Sequence, residues 1–286
     1  MVFGIFCLGM MSGLTAQTSD LFRIEYMHVP NSNSGSSVSR FRSLFQLPLK
    51  LNEQSYFIVG GEFRYTDTEL DDLDLGIADI NSLYRIEGNL GYLRRTQGDW
   101  IYAGKLGFRI ASNLESTAIS DDFIYVANFF AIRDRTDEEK FSKPSRLILG
   151  LEYTTTPGRN FPLPIVNYYR EFHPNWTYTL GVPKTNIRYK FDEKNHIQAF
   201  ATLDNEFANI QNNIVINDRL VENVSITMVL AGLGYEHYFT DHILYYGYLA
   251  HTVINDYRFS DSEREDIFVI DNKNTLYFRT GFKLKI

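Results

Sequence analysis

Apolar and polar residues alternate along most of this chain with a period of two, the spacing of a β-strand whose two faces meet different surroundings. In the last segment, Leu276, Phe278, Thr280, Phe282, Leu284 and Ile286 fall on one face and Tyr277, Arg279, Gly281, Lys283 and Lys285 on the other. Upstream, Phe57, Val59, Gly61, Phe63 and Tyr65 oppose Ile58, Gly60, Glu62 and Arg64, and Tyr84, Ile86, Gly88, Leu90 and Tyr92 oppose Arg85, Glu87, Asn89 and Gly91. The same reading sets Tyr102, Gly104, Leu106, Phe108 and Ile110 against Lys105, Gly107 and Arg109, and Leu244, Tyr246, Tyr248 and Ala250 against Gly247 and His251. No helical periodicity of any length interrupts the pattern, so the fold class is all-β.

The connections alternate in length. Short turns are read at 52–54, 96–99, 173–175, 192–195 and 240–241, with a further connection of the same side at 136–145. Longer ones fall between them at 30–37, 67–81, 112–121, 157–162, 206–219 and 259–274. Bacterial outer-membrane barrels have short periplasmic turns, longer outer loops and an even strand count. The expectation is an antiparallel transmembrane β-barrel of about 14 strands with both ends in the periplasm. Gly181 and Pro183 break the stretch 176–191, whose halves are short for a bilayer-spanning strand, so 12 strands is the alternative.

Alternation also describes a soluble sandwich, but strands as long as 225–239 and 242–254 exceed what sandwiches use. Energetics fix the register of the last one. Sliding it by one residue would turn Arg279 and Lys283 to lipid, at about 2 to 4 kcal/mol each near the midplane. Tyr65, Tyr84, Tyr102, Tyr235 and Tyr257 near strand ends suit interfacial girdles, with ordinary β-propensity as the alternative.

Residues 1–16 are uncharged and apolar and end in small residues, which reads as a signal peptide, leaving a barrel over 17–286. The only cysteine, Cys7, lies within that segment. Mean hydropathy of -0.23 does not oppose a barrel, because only every second strand residue need face lipid. A net charge of -7 argues against nucleic acid as a partner.

The stretch Leu163-Pro164-Ile165 to Tyr168-Tyr169-Arg170, with Trp176, Leu180-Gly181-Val182-Pro183-Lys184 and Tyr189, resembles an uncharacterised family of bacterial outer-membrane barrels known as a domain of unknown function. The resemblance implies location in the cell outer membrane and no assigned activity. The final strand ends in Ile286 where such barrels usually end in Phe.

Chemistry is sparse. His237, His242 and His251 sit in neighbouring strands with Ser225 not far off, but no G-x-S-x-G elbow accompanies them, and no H-E-x-x-H pair or Cys/His group could hold zinc. Acidic stretches at Glu69, Asp71, Asp72 and Asp74, and at Asp261, Glu263, Glu265 and Asp266, do not match a calcium loop. No cofactor is expected. The functional surface is the inward face, with Glu62, Arg64, Arg85, Glu87, Lys105, Arg109, Arg279 and Lys283 as lumen-lining candidates.

The expected function is therefore a channel or transporter for small solutes rather than an enzyme. A structural barrel with a blocked lumen and a rim-located lipid hydrolase stand as the alternatives. The expected partners are outer-membrane lipid, lipopolysaccharide and the barrel-assembly machinery, with the protein itself a monomer.

Overall fold

The computed structural model describes residues 20–30, 36–70, 81–137, 140–157, 161–216 and 218–285. The signal-peptide reading of 1–16, the acidic residues Asp71, Asp72 and Asp74, and Ile286 lie outside the described residues.

Among the described residues fifteen strands form one sheet: β1 (Asp20–Val29), β2 (Ser36–Asn52), β3 (Ser55–Leu70), β4 (Ser82–Arg95), β5 (Trp100–Ser112), β6 (Phe123–Arg135), β7 (Ser145–Thr154), β8 (Leu163–His173), β9 (Trp176–Gly181), β10 (Lys184–Lys190), β11 (Asn195–Ile216), β12 (Arg219–Tyr238), β13 (Ile243–Ser260), β14 (Asp266–Asp271) and β15 (Leu276–Lys285). Neighbours pair antiparallel from β1 to β13, β13 pairs with β15, and β15 returns to β1 through Phe22↔Leu284 to His28↔Phe278. Short β14 hangs on β13 alone, so the closed ring holds 14 strands. Closure pairs the strands around the ring, the condition for crossing lipid with strands.

The interrupted stretch 176–191 is two strands and not an irregular segment. Asn186↔Thr179 to Tyr189↔Trp176 pair across the reversal at Val182-Pro183, which gives 14 strands rather than 12. The 206–219 connection, by contrast, is not a loop. β11 continues to Ile216 and pairs with β12 as far as Ile216↔Arg219. The long outer connection before Asn274 also contains β14.

The wall is uneven. β11, β12 and β13 have 22, 20 and 18 residues, whereas β9 and β10 have 6 and 7, below the roughly 9 to 11 that span hydrocarbon. Above Gly181 and Lys184 no strand among the described residues continues the wall between β8 and β11. The reversal there is held on both sides, by Val182 N donating to Val166 O at 2.9 Å and Leu203 N to Pro183 O at 3.0 Å.

Outward positions carry large exposed apolar side chains around the ring, among them Phe45 and Leu47 on β2, Leu90 on β4, Leu106 on β5, Phe129 on β6, Leu151 on β7, Leu249 on β13 and Phe278 on β15. A continuous apolar surface of this kind is unfavourable in water and suits lipid. The protein is an outer-membrane β-barrel with lipid around its wall. By the short-turn rule, the end holding Asp20 and Lys285 faces the periplasm.

Candidate functional site: the lumen and the strand that crosses it

β11 begins as an ordinary wall strand, with His196, Gln198 and Phe200 inward and Ile197 and Leu203 exposed. Beyond Thr202 it runs past the end of β10, and from Phe207 the alternation ends. Phe207, Ala208, Asn209, Ile210 and Gln211 are all buried, so both faces of the strand are covered by protein. The reason is position. Asn209 pairs in parallel with Ser112 of β5, and Asn113 N donates to Asn209 O at 3.3 Å. In a ring of 14, β5 stands six places from β11, almost diametrically opposite. A backbone bond between them brings the outer part of β11, still paired with β12 as far as Asn209↔Asn223, across the lumen to β5.

Both faces of the crossing segment are packed. Ala208, Ile210, Ile214 and Ile216 join a cluster with Val224, Ile226, Met228 and Leu230 of β12, Tyr257 and Phe259 of β13, and Met27 and Val38 of β1 and β2. On the other face Phe207 meets Ala111, Ile124 and Val126 of β5 and β6. Polar residues close the tip: Gln211 donates through Nε2 to Asp122 Oδ2 at 2.7 Å, and Asn209 through Nδ2 to Asp122 Oδ1 at 2.8 Å.

Two carboxylates anchor the root of the crossing. Asp204 accepts from Arg40 of β2 at 2.5 Å, from the Tyr277 hydroxyl at 2.8 Å and from Arg279 of β15. Glu206 meets Arg85 of β4 at 2.7 Å, Arg64 of β3 at 2.8 Å and Arg40 at 3.3 Å. The network runs on through Glu62, which takes Arg42 at 2.6 Å and Arg64 at 2.7 Å, and through Glu25, which takes Arg42 at 3.2 Å and the Tyr246 hydroxyl at 2.5 Å. Ions this buried are tolerable when an opposite charge matches each of them. The pairs join strands on opposite sides of the ring, so they tie β11 across the lumen.

The eight residues predicted to line the lumen divide among three places. Glu62, Arg64, Arg85 and Arg279 belong to the network around Asp204 and Glu206. Glu87, Lys105 and Arg109 form a separate group on β4 and β5, at 2.8 Å for Arg109 and 3.6 Å for Lys105. Lys283 lies toward the periplasmic end, 4.0 Å from Asp20. Asp204, Glu206 and Arg40 escaped the sequence reading. The asparagines at 205, 209, 212 and 213 break the alternation there and imitate a loop.

Two side-chain assignments change. Leu244, Tyr246 and Ala250 are buried and Tyr248 is half-buried on the inward side of β13, so this face is not the lipid face. Ala250 and Tyr248 pack into the cluster that holds the outer part of β11, while the Tyr246 hydroxyl turns inward to Glu25. Tyr257 is likewise 2 % exposed, its hydroxyl donating to Thr68 at 3.2 Å, and is no girdle residue. In the hydrolase constellation, Ser225 pairs with Arg258 while His251 pairs with Ala231. Six strand residues, about 20 Å, separate the two levels, too far for a nucleophile and its base. His237 and His242 sit at the periplasmic turns, His237 Nδ1 lying 2.9 Å from Asn195 Oδ1. Asp261 and Glu265 bind Arg219 at 2.9 and 3.2 Å, and among the described residues no group of three or more His, Cys, Asp or Glu is placed to hold a metal.

A family model described as "Domain of unknown function (DUF6268)" matches residues 17–285. No curated protein matches the chain in sequence. Among solved structures, it is similar to the COG4313 outer membrane channel from Pseudomonas putida F1 (9% identity, 95% of this chain and 97% of that one, TM-score 0.42). It is also similar to a mutant of TodX, a monoaromatic hydrocarbon channel, from Pseudomonas putida (8%, 94% and 91%, TM-score 0.45) and to outer membrane phospholipase A from Escherichia coli (12%, 94% and 97%, TM-score 0.31). These are likenesses of one barrel to another. The cargo and the reaction in those names belong to those proteins.

Proposed function

The chain belongs to this family of unknown function, and within it we propose that the protein is a gated channel for small solutes, non-enzymatic and monomeric, exported behind residues 1–16 and inserted by the barrel-assembly machinery. The observation that carries the reading is the route of β11. The lumen is closed by a strand held across it through ion pairs. The polar inward face given by Glu62, Arg64, Arg85, Glu87, Lys105, Arg109, Arg279 and Lys283 is the path that opens when the segment after Leu203 moves aside. The closed form dominates at rest. Exposing Ile210, Ile214 and Ile216 to water costs about 1.5 to 3 kcal/mol for each side chain.

A second reading, a permanently plugged structural barrel, is favoured by the burial of 207–211 on both faces. Planar-bilayer recording separates the two. A gated channel shows rare stepwise openings in the wild type and many more in Glu206→Gln. A fixed plug gives no wild-type openings, and conductance then appears only when the segment is broken.

A further inference from the structure

Between the crossing segment and the periplasmic end the lumen retains a cavity of about 350 Å³, lined by Asp20, Arg23, Tyr169, Thr177, Thr179, Lys184, Asn186, Arg188, Glu236, Tyr248, Lys283 and Lys285. Five of these are basic residues and two are carboxylates, a formal excess of three positive charges.

The two carboxylates are already engaged. Asp20 binds Arg23, with Lys283 at 4.0 Å, and Glu236 takes Arg188 at 3.3 Å. Lys184 and Lys285 have no carboxylate within 4.0 Å among the described residues. Lys184 Nζ instead lies 4.6 Å from the Tyr248 ring centroid, 5.0 Å from that of Phe200 and 3.5 Å from the Tyr248 hydroxyl, while Lys285 donates to the Tyr238 hydroxyl at 3.3 Å. Ring faces and hydroxyls hold an ammonium in place without neutralising it.

The contrast with the network around Asp204 and Glu206 is informative. There each carboxylate sits among arginines at 2.5 to 3.3 Å. Here the same barrel interior gathers cations and leaves them short of anions. Partly buried charges of one sign are unfavourable unless an opposite charge joins them. The deficit faces a cavity at the small end of the ligand-site range.

We infer that this cavity is a binding site for a small di- or trivalent oxyanion, a phosphate or a polycarboxylate. Lys184, Lys283 and Lys285 supply the charge, and Thr177 supplies a hydroxyl donor. The site is independent of whether the lumen opens, since binding needs access only from the periplasmic end.

Calorimetry on the full chain in detergent at low salt tests it, with inorganic phosphate and citrate as probes and glycerol as the neutral control. Saturable one-to-one binding of either anion is expected, with none for glycerol. Lys184→Met and Lys283→Met should each weaken it at least about tenfold, the loss of one charge-assisted contact. Lys50→Met, outside the cavity, should leave it unchanged. Absence of saturable binding by both anions, or affinity that survives both substitutions, overturns the assignment. If Lys283→Met fails to fold by heat-modifiable gel migration, Lys184→Met decides, because Lys184 makes no ion pair among the described residues. A protein that binds but never conducts keeps the site and loses the channel reading.

Discussion

Glu206 meets three arginines on three different strands, and replacing it leaves Arg64 and Arg85 with less charge to answer theirs. Removing one partner of a buried ion pair costs about 3 to 5 kcal/mol. Glu206→Gln should lower stability by that amount in urea unfolding of the detergent-solubilised barrel, followed by gel migration. Glu53→Gln, which loses only the exposed pair with Lys50, should leave the midpoint where it was. The inward arginines were legible in the sequence because they alternate with lipid-facing residues: Arg64 between Phe63 and Tyr65, Arg85 between Tyr84 and Ile86. Their partner was not. Sequence spacing shows which residues share a face of one strand, but Arg64 and Glu206 meet across 142 residues of chain and the width of the lumen.

Among the elements, the β9–β10 reversal depends on Gly181, whose φ of 148° lies where side chains are strained. A Cβ there would sit 2.0 Å from the carbonyl oxygen of Val166. Gly181→Ala should cost at least about 1 to 3 kcal/mol, read in the same unfolding assay, by forcing β8 and β9 apart. The next turn gives a pH signature. Asp192 accepts from the Asn195 side chain at 2.9 and 2.8 Å and from Lys194 N at 2.8 Å, which holds its carboxyl below the ordinary 3.8. A depressed folded value stabilises above the unfolded pKa and is lost as pH falls through the folded one. Wild type should therefore exceed Asp192→Ala in stability at pH 6, and the difference should shrink as pH falls below 3.8. The turns, most strands and the short pair β9–β10 were readable from the pattern. β11 over Phe207 to Gln211 was not, because a strand covered by protein on both faces has no reason to alternate.

At the scale of the molecule, one displaced strand accounts for several departures from a simple lipid-out, polar-in barrel. The crossing gives β12 and β13 an apolar interior in their outer halves, with Ile226, Met228, Leu230, Tyr257 and Phe259 packed inside. The cation-rich cavity lies on its periplasmic side. The crossing also accounts for a ring that is tall at β11–β13 and low at β9–β10. Fold class, strand number and location follow from wall residues, which meet lipid and so obey a period of two. The closure depends on contacts between strands far apart in the ring, which no local pattern encodes.

The passage of β11 across the lumen is most directly tested by joining its two ends of contact. The sole cysteine of the chain is Cys7, so Asn209→Cys and Ser112→Cys can be introduced together and oxidised in the intact outer membrane. Val59→Cys with Leu90→Cys, neighbours across β3 and β4, serves as the control pair. The crossing predicts that 209 and 112 form an intramolecular disulfide, visible as a shift in non-reducing gel migration, because bridging requires Cα atoms within about 7 Å. Free, separately labelled thiols at 209 and 112 alongside a bridged control pair would contradict it.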